Sequence, residues 1–278
     1  MDIRQSTGFY DLCVSANETQ NLYPYLLKLY ELGYRTIAIN TDLDESVIAT
    51  DKKKKKKNEE GDLHHSVIPE AINIRNIKKE FEGKLKIFNR ITFICSDPAK
   101  THILNHSAAL KKYDLYAIAP KTQNALQFAC TQLNADIITL RPFSISFKLN
   151  KKLYDQAVER GMHFEIQYSD LFDSESRKTI IHYSHLYHTY GKSKNVILSC
   201  GSNNIRRIRN PYDLINLGSL LGLNETKAKA SISNQCKRLL LKAERRRRGK
   251  AVFLIEEETN TTDNTGENNR SSPKRMKL

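Results

Sequence analysis

One stretch, residues 195–222, places the signals of a buried strand, a cationic loop and a capped helix directly after one another. The apolar, β-branched run that begins at Val196 predicts a buried strand, and Gly201 interrupts it. Asn210 can cap the free N–H groups of a helix, and Pro211 fits the first helical position. The loop in between carries Arg206, Arg207 and Arg209. Repeated units of this kind build parallel α/β proteins, in which binding loops follow the carboxyl ends of the strands.

The alternation of strand and helix extends over most of the 278 residues. Continuous apolar runs, typical of strands covered on both faces, predict seven strands. These are residues 9–14, 36–40, 90–95, 113–119, 136–140, 163–168 and 195–200. Intervening helices are predicted at 17–32, 72–82, 122–133, 151–160, 173–190 and 210–222, and a last one runs from a cap at Asn224 to Arg248. Residues 251–255 are a candidate eighth strand. The pattern fits a (β/α) barrel or an open doubly wound sheet, because periodicity does not determine whether a sheet closes.

Two segments lack the apolar residues that a core needs. Residues 41–70, which include six consecutive lysines and His64-His65, predict a disordered insertion, and residues 256–278 predict a disordered tail. Residues 1–255 are predicted to form one domain that contains the insertion. The lysine run is either a solvated loop, a contact to RNA phosphates or a nuclear import signal. The end of the tail, residues 273–277, resembles a short basic import signal.

The formal net charge of +14 is unevenly distributed. Residues 52–57, 245–250 and 256–278 hold 15 of the 45 Lys and Arg residues but only five of the 31 Asp and Glu residues. We expect these segments to be solvated. A charge of this size favours a polyanionic partner, although basic segments also increase solubility.

The five cysteines lie inside apolar runs or helical patterns, and no two of them form a C-x-x-C pair. They predict buried free thiols in a reducing compartment rather than disulfides or a zinc site. No apolar run approaches the roughly 18 to 20 residues of a membrane span, and the N-terminus lacks a signal-peptide pattern. We therefore expect an intracellular protein without a membrane partner.

Several short motifs occur in the order in which one known family has them. The most extensive combines Ile208 to Leu214 with Leu217 to Leu223. The others are Gly33-Tyr34, Ile37 to Asn40, Arg90 to Ile94 with Ser96-Asp97-Pro98, and Phe164 to Ile166 with Tyr168-Ser169. As an ordered set, from near residue 9 to about residue 241, they resemble the TIM-barrel protein subunit of nuclear ribonuclease P and ribonuclease MRP.

The resemblance implies a TIM-like (β/α) barrel of seven to eight parallel strands that does not catalyse a reaction by itself. The catalytic element would be RNA, with Mg²⁺ bound at the RNA, and the chain itself would bind no cofactor. Implied partners are ribonuclease P RNA, MRP RNA, precursor tRNA within the particle, and other protein subunits including a small ferredoxin-like one. The implied processes are 5′-leader removal from precursor tRNA and ribosomal RNA processing, in the nucleus and nucleolus.

The alternative is a stand-alone metal-dependent phosphoesterase, because the family's barrel is similar to the polymerase-and-histidinol-phosphatase hydrolases. Such enzymes gather His and carboxylate ligands at strand ends, beginning with a His-x-His on the first strand, to polarise phosphate and activate water. Here the first strand reads Tyr10-Asp11-Leu12. The predicted strand ends are rich in donors and poor in metal ligands: Asn40, Asp97, Lys121, Arg141, Ser169 and Gly201. We therefore predict no catalytic residue and no metal ligand.

The remaining histidines and Glu165 have structural interpretations. His102 and His106, and likewise His182, His185 and His188, recur at helical spacing and are predicted to be exposed or partly packed positions. Glu165 is a lone carboxylate in a predicted strand, so it forms either a structural hydrogen bond or salt bridge or acts as a catalytic acid. Asp97 is predicted to cap the helix that begins at Pro98.

Arginines and lysines that follow strand ends are suited to contact a phosphate backbone. Such contact needs several cations but no arrangement of side chains that recognises bases. Arg206, Arg207 and Arg209 are the best candidates, because guanidinium groups grip phosphate oxygens and the helix that follows adds N–H donors. Alternatively, they pair with carboxylates or with a protein partner. The further RNA-binding candidates are Lys121, Arg141, Arg245, Arg246, Arg247 and Arg248.

Overall fold

The computed structural model of the chain describes residues 8–15, 22–46, 68–69, 71–105 and 108–249. Within them, seven parallel strands form one sheet in which each strand pairs with the next along the chain. The strands are β1 (Phe9–Ser15), β2 (Tyr34–Asp44), β3 (Lys86–Cys95), β4 (Leu115–Pro120), β5 (Ile137–Thr139), β6 (His163–Gln167) and β7 (Val196–Ser199). This order is the one that a (β/α) barrel requires.

The first and last strands come together, so that the barrel is nearly closed. The N–H of Gly201 donates to the carbonyl of Cys13 at 2.8 Å. The carboxylate of Asp11 accepts the backbone N–H of Cys13 at 3.2 Å and that of Cys200 at 3.1 Å. A side chain thus supplies part of the pairing between β1 and β7, and the open doubly wound sheet is excluded.

Nine α-helices are described alongside the strands. They are α1 (Leu22–Glu31), α2 (Arg75–Glu80), α3 (Pro98–Asn105), α4 (Gln123–Thr131), α5 (Lys151–Glu159), α6 (Ser174–Gly191), α7 (Pro211–Leu217), α8 (Glu225–Ser231) and α9 (Asn234–Arg248). The predicted caps are confirmed: Asp97 accepts the N–H of Ala99 at 2.9 Å, and Asn210 and Asn224 each accept an N–H from the first turn of their helices. These side chains satisfy N–H groups that the helix itself leaves unpaired.

The predicted last helix is wrong in one respect, because it is two helices, α8 and α9. The helical conformation is interrupted at Ile232 and Ser233. There the carbonyl of Ile232 accepts the N–H of Tyr10, a residue of β1, at 2.9 Å. The preceding helix α7 also ends at Leu217 rather than at Gly222, and Leu220, inside the predicted helix, is 49% exposed.

Residues 41–44, predicted to belong to a disordered insertion, are part of a strand. They belong to β2, and their partners in the register are residues 91–94 of β3. The predicted helix at 72–82 is limited to α2. The lysine run, the predicted start of the first helix at residues 17–21, the candidate eighth strand and the predicted tail lie outside the described residues.

Helix α9 closes the amino-terminal end of the barrel. Its buried apolar residues are Cys236, Leu239, Leu240 and Ala243. They form one cluster with side chains from six of the seven strands: Tyr10, Leu12, Ala38, Phe88, Leu115, Ala117, Ile137 and Ile197. A second, larger cluster lies between the sheet and the outer helices. The carboxyl end of the strands is therefore the end at which the loops remain accessible.

All five cysteines are buried and unpaired, which confirms the free thiols expected from the sequence. Burial raises the pKa of the Cys95 and Cys130 thiols to about 12, so these sulfurs stay protonated at neutral pH. Among the described helices, none is long and apolar enough to cross a membrane.

Candidate nucleic-acid interface

The loop between β7 and α7, residues 200–210, is held in place by three buried tyrosines. The Tyr25 hydroxyl donates to the carbonyl of Ser202 at 2.9 Å, and the Tyr34 hydroxyl donates to the carbonyl of Arg209 at 2.9 Å. The Tyr168 hydroxyl oxygen accepts the N–H of Arg209 at 3.4 Å. These bonds fix both ends of the loop, and with them the backbone that carries the predicted arginines.

Arg209 serves the loop itself. Its Nη1 donates to the carbonyl of Arg206 at 2.9 Å and to that of Ile208 at 3.1 Å, and its guanidinium lies 4.4 Å from the ring centroid of Phe172. The Nη1 group of Arg209 is therefore used to shape the loop. Sequence reasoning treated the three arginines as equivalent, and the structure distinguishes this one.

Arg206 and Arg207 are the arginines that the loop offers to a ligand. Arg206 is exposed, and Arg207 is half-buried with its Nη1 3.5 Å from the carbonyl oxygen of Ser169. Within the described part of the chain, neither guanidinium forms an ion pair with a carboxylate. Both lie on a short 3₁₀ turn, Ile205–Arg207, in which the side chain of Asn204 accepts the N–H of Arg206 at 3.0 Å.

Lys121 and Arg141 also lie at the carboxyl end of the barrel, but acidic residues of β2 pair with them. Lys121 Nζ is 3.2 Å from Asp44 Oδ2, and Arg141 Nη2 donates to both oxygens of Asp42 at 2.6 and 2.8 Å. Sequence reasoning ended β2 at residue 40 and so missed these two carboxylates. The positive charge of this end is consequently concentrated near β7, where Arg206 and Arg207 lie.

The remaining candidates, on α9, lie at the opposite end of the barrel. Arg246 Nη2 is 2.8 Å from Asp136 Oδ2, and its side chain is only 9% exposed. Arg247 pairs with Asp114, and Arg248 with Glu244 on the same helix at 2.8 Å. Arg245 shares this helix. The expectation that this segment is solvated is therefore wrong for Arg246, whereas Arg245, Arg247 and Arg248 are exposed. The nine predicted residues form two separate sets.

The middle of the barrel is filled by a buried polar network. Arg90 and Glu165 form two hydrogen bonds, of 2.5 and 2.6 Å, and neither side chain is exposed. Ser199 donates to Glu165 at 2.7 Å, and Arg90 Nη1 also donates to the carbonyl of Leu12. Burial alone would raise the pKa of Glu165, but the Arg90 guanidinium and its hydrogen bonds hold that pKa at about 2. The structure supports the salt-bridge interpretation of Glu165.

In the described residues, no group of three or more His, Cys, Asp and Glu side chains could hold a metal ion. His182, His185 and His188 are exposed on α6, which agrees with their predicted positions. His185 Nε2 lies 3.1 Å from the carbonyl oxygen of Leu220. The side chain of His102 and all of His106 lie outside the described part of the chain.

A cavity of about 310 Å³ opens at the carboxyl end, next to the ion pairs of Lys121 and Arg141. Sequence reasoning missed two of its lining residues. Phe143 follows β5 and is 67% exposed, and Asp170 follows β6 and is largely buried. Burial raises the pKa of Asp170 to about 6, against the effect of the nearby Arg141 and Arg207 guanidinium groups. Phe143 and Asp170 follow predicted strands closely, and that position was the signal that could have identified them.

Comparison with known proteins places this geometry in a family. A family model described as RNase P subunit p30 matches residues 8–248. A mouse (Mus musculus) relative, ribonuclease P protein subunit p30, is 32% identical over 219 residues, which are 78% of this chain and 78% of that protein. The Saccharomyces cerevisiae ribonuclease P/MRP protein subunit RPP1 is 25% identical over 252 residues, which cover 87% of this chain and 79% of that protein.

Other relatives differ in length. The Arabidopsis thaliana Protein GAMETOPHYTE DEFECTIVE 1 is 34% identical over 164 residues, or 58% of this chain, and the chain spans only 28% of that protein. Among solved structures, a chain in the cryo-EM structure of archaeal ribonuclease P with mature tRNA has a TM-score of 0.62 at 16% identity, with 90% of this chain and 100% of that chain covered. That likeness shows the fold. Because the family model extends from the first strand to the last helix, the chain belongs to the RNase P subunit p30 family, a family of protein subunits of ribonuclease P.

Proposed function

We propose that the chain is a non-catalytic, RNA-binding subunit of ribonuclease P and of ribonuclease MRP. In the first particle it contributes to removal of 5′ leaders from precursor tRNA, and in the second to ribosomal RNA processing. The catalytic element is the RNA, which binds the Mg²⁺ ions, while the barrel braces that RNA and other protein subunits, including a small ferredoxin-like one. The site of action is the nucleus and nucleolus. Family membership supports the assembly, and the name of the yeast relative supports the second particle.

The observation that best supports RNA binding is the anchored loop of residues 200–210, called the arginine loop, which holds Arg206, Arg207 and Arg209. Tyr34 and Tyr168 fix its backbone, so that Arg206 and Arg207 are presented without the cost of ordering a flexible loop. Guanidinium groups that lack a carboxylate partner are free to form charge-assisted bonds with phosphate oxygens. Contacts of this kind supply affinity for an RNA backbone and do not require base recognition.

The stand-alone phosphoesterase is the weaker alternative. In this barrel β3, β6 and β7 contribute Arg90, Glu165 and Ser199 to the interior, where Glu165 accepts hydrogen bonds from the other two. Glu165 is the one buried glutamate among the described residues, and its ion pair with Arg90 commits its carboxylate to the fold. Cleavage of phosphodiester or phosphomonoester substrates by the purified chain with Mn²⁺, Mg²⁺ or Zn²⁺, abolished by substitutions at the strand ends, would contradict our proposal.

The direct test is affinity purification of the tagged full-length chain from its own cells, followed by identification of the bound RNA. We expect recovery of ribonuclease P RNA and MRP RNA, with precursor tRNA as a minor component. Recovery of other RNAs without either of these would indicate a generic RNA-binding barrel. The double variant Arg206→Ala/Arg207→Ala tests the loop, and Lys78→Ala/Lys79→Ala on α2, which removes the same charge, is its control.

A further inference from the structure

The cavity at the carboxyl end of the barrel has three chemically different walls. Phe143 forms an aromatic wall, Lys121 and Arg141 form a cationic one together with the Asp44 carboxylate that pairs with Lys121, and Asp170 contributes a second carboxylate. The volume, about 310 Å³, is at the lower end of the range for small-ligand pockets and too small for a helical segment or a duplex. This lining suits a single compact group that carries both an anion and hydrogen-bond donors.

The aromatic wall is unusual because a large apolar ring is left in solvent. Phe143 is 67% exposed, on a short 3₁₀ turn that Pro142 begins. An exposed phenyl ring beside guanidinium and ammonium groups is the arrangement on which unpaired bases stack. Such stacking contributes about 1 to 3 kcal/mol per base.

The cationic wall retains donors although both of its members are paired. Among the described residues Lys121 Nζ forms one bond, with Asp44, and an ammonium group has three N–H donors. Arg141 uses Nη1 for Gln167 and Nη2 for Asp42, which leaves Nε–H as a further donor. These ion pairs place the two cations at the rim of the cavity, where a phosphate can join them.

The carboxylate of Asp170 is a partly buried group that lines the cavity and to which the described fold donates no hydrogen bond. Within the described residues, no hydrogen bond to either carboxylate oxygen is recorded. Its charge is balanced from a distance by Arg141 and Arg207. Buried carboxylates normally accept hydrogen bonds, so this one is suited to donors on a ligand. Arg207 also links the cavity to the arginine loop.

We propose that this cavity binds one unpaired guanosine of an RNA strand. Its base stacks on Phe143, its N1–H and N2–H donate to Asp170, and its phosphate lies against Lys121 and Arg141. Guanine fits because, of the four bases, only guanine carries two adjacent donors on its Watson–Crick edge. The inference rests on the proposed RNA-binding function and adds a base-specific site to the phosphate contacts of Arg206 and Arg207.

The experiment measures binding of the full-length chain to short uridine oligonucleotides that contain one central guanosine or one central adenosine. For the guanosine oligonucleotide, Phe143→Ala should weaken binding about tenfold, because 1.4 kcal/mol of lost stacking is a factor of ten in affinity. Phe143→Tyr should restore it. Asp170→Asn should reduce the preference for guanosine over adenosine. Tyr23→Ala on α1, another exposed aromatic residue, should have no effect.

The salt dependence separates this site from the loop. Phe143→Ala should leave the slope of log affinity against log salt unchanged, since no phosphate contact is removed, whereas Arg206→Ala/Arg207→Ala should lower it. The guanosine site would be overturned if both Phe143→Ala and Asp170→Asn bound the guanosine oligonucleotide as the parent does. If the arginine variant still showed a reduced slope, the proposed function would remain intact. Guanosine monophosphate bound as tightly as the oligonucleotide would overturn it in favour of a free nucleotide. Absence of RNA binding by the unmodified chain would overturn both proposals.

Discussion

Two pairs of arginines at opposite ends of the barrel look alike in the sequence and differ in the structure. Arg246 and Arg247 on α9 pair with carboxylates that precede β4 and β5, and Arg246 is almost completely buried. Arg206 and Arg207 follow β7 on an anchored loop and form no ion pair with a described carboxylate. A cluster of arginines therefore predicts phosphate binding only where the fold supplies no acidic partner. The first pair stabilises the barrel, and the second is available to a ligand.

The largest loss of stability is expected in the middle of the barrel, where Arg90 pairs with Glu165. Glu165→Leu should lower the free energy of unfolding by about 3 to 5 kcal/mol, because it leaves a guanidinium buried without its counter-charge. Denaturant titration followed by circular dichroism measures this loss. The double variant Arg90→Met/Glu165→Leu should recover most of it, since an apolar pair needs no counter-charge. A single variant as stable as the parent would show that Arg90 does not depend on Glu165.

The next largest loss of stability distinguishes the two ends of the barrel directly. Arg246→Ala should lower the unfolding free energy by about 3 kcal/mol, because among the described residues it leaves the fully buried Asp136 with the N–H of Tyr116 as its one hydrogen-bond donor. Arg206→Ala should change it by no more than about 0.5 kcal/mol, as is usual for exposed positions. Equal destabilisation by the two substitutions, measured by the same denaturant titration, would remove the distinction between a structural and a ligand-binding set.

The end closed by α9 should also respond to acid. Burial, with Lys242 nearby, lowers the pKa of His163 from 6.5 to about 4. The unfolded chain then binds a proton at a higher pH than the folded one, so this contribution to stability is present above pH 6.5 and lost as the pH falls towards 4. The loss should be about 2 kcal/mol between pH 7 and 4.5. His163→Leu should lack this component, and a variant whose stability follows the parent's across that range would contradict the prediction.

The smallest effect concerns the open end and appears only in binding. Arg206→Ala/Arg207→Ala should fold normally, reduce the affinity for RNA at low salt, and lower the slope of log affinity against log salt by about 0.7 to 0.9 for each lost phosphate contact. Fluorescence anisotropy at several salt concentrations measures both quantities. The control Arg247→Ala/Arg248→Ala removes the same charge from α9 and should leave the slope unchanged. The opposite pattern would place the RNA at the α9 end.

Much of the fold was predictable because its signals are local. Continuous apolar runs identified the seven strands, and the caps Asp97, Asn210 and Asn224 act on N–H groups within three residues of themselves. The ordered motifs identified the family for a different reason, since they required comparison with known sequences. The eighth strand remains a prediction, as it lies outside the described residues.

The candidate site was predictable only in part, because ion pairs join distant parts of the chain. Arg90 and Glu165 are 75 positions apart, and Arg246 and Asp136 are 110 apart. Neither pairing has a sequence pattern. The end of β2 was misplaced because Thr41, Asp42 and Asp44 are polar, although they continue the ladder with β3. That error hid the carboxylates that pair with Lys121 and Arg141.

The closure of β1 on β7 has a consequence for the motions of the barrel. The β2 and β3 strands share a register of nine residue pairs, whereas the join between β1 and β7 depends largely on the Asp11 carboxylate and one backbone bond. Transient opening of the cylinder should therefore begin along this line. Cys13 and Cys200 flank it, and the rate at which a thiol reagent modifies them would count these openings.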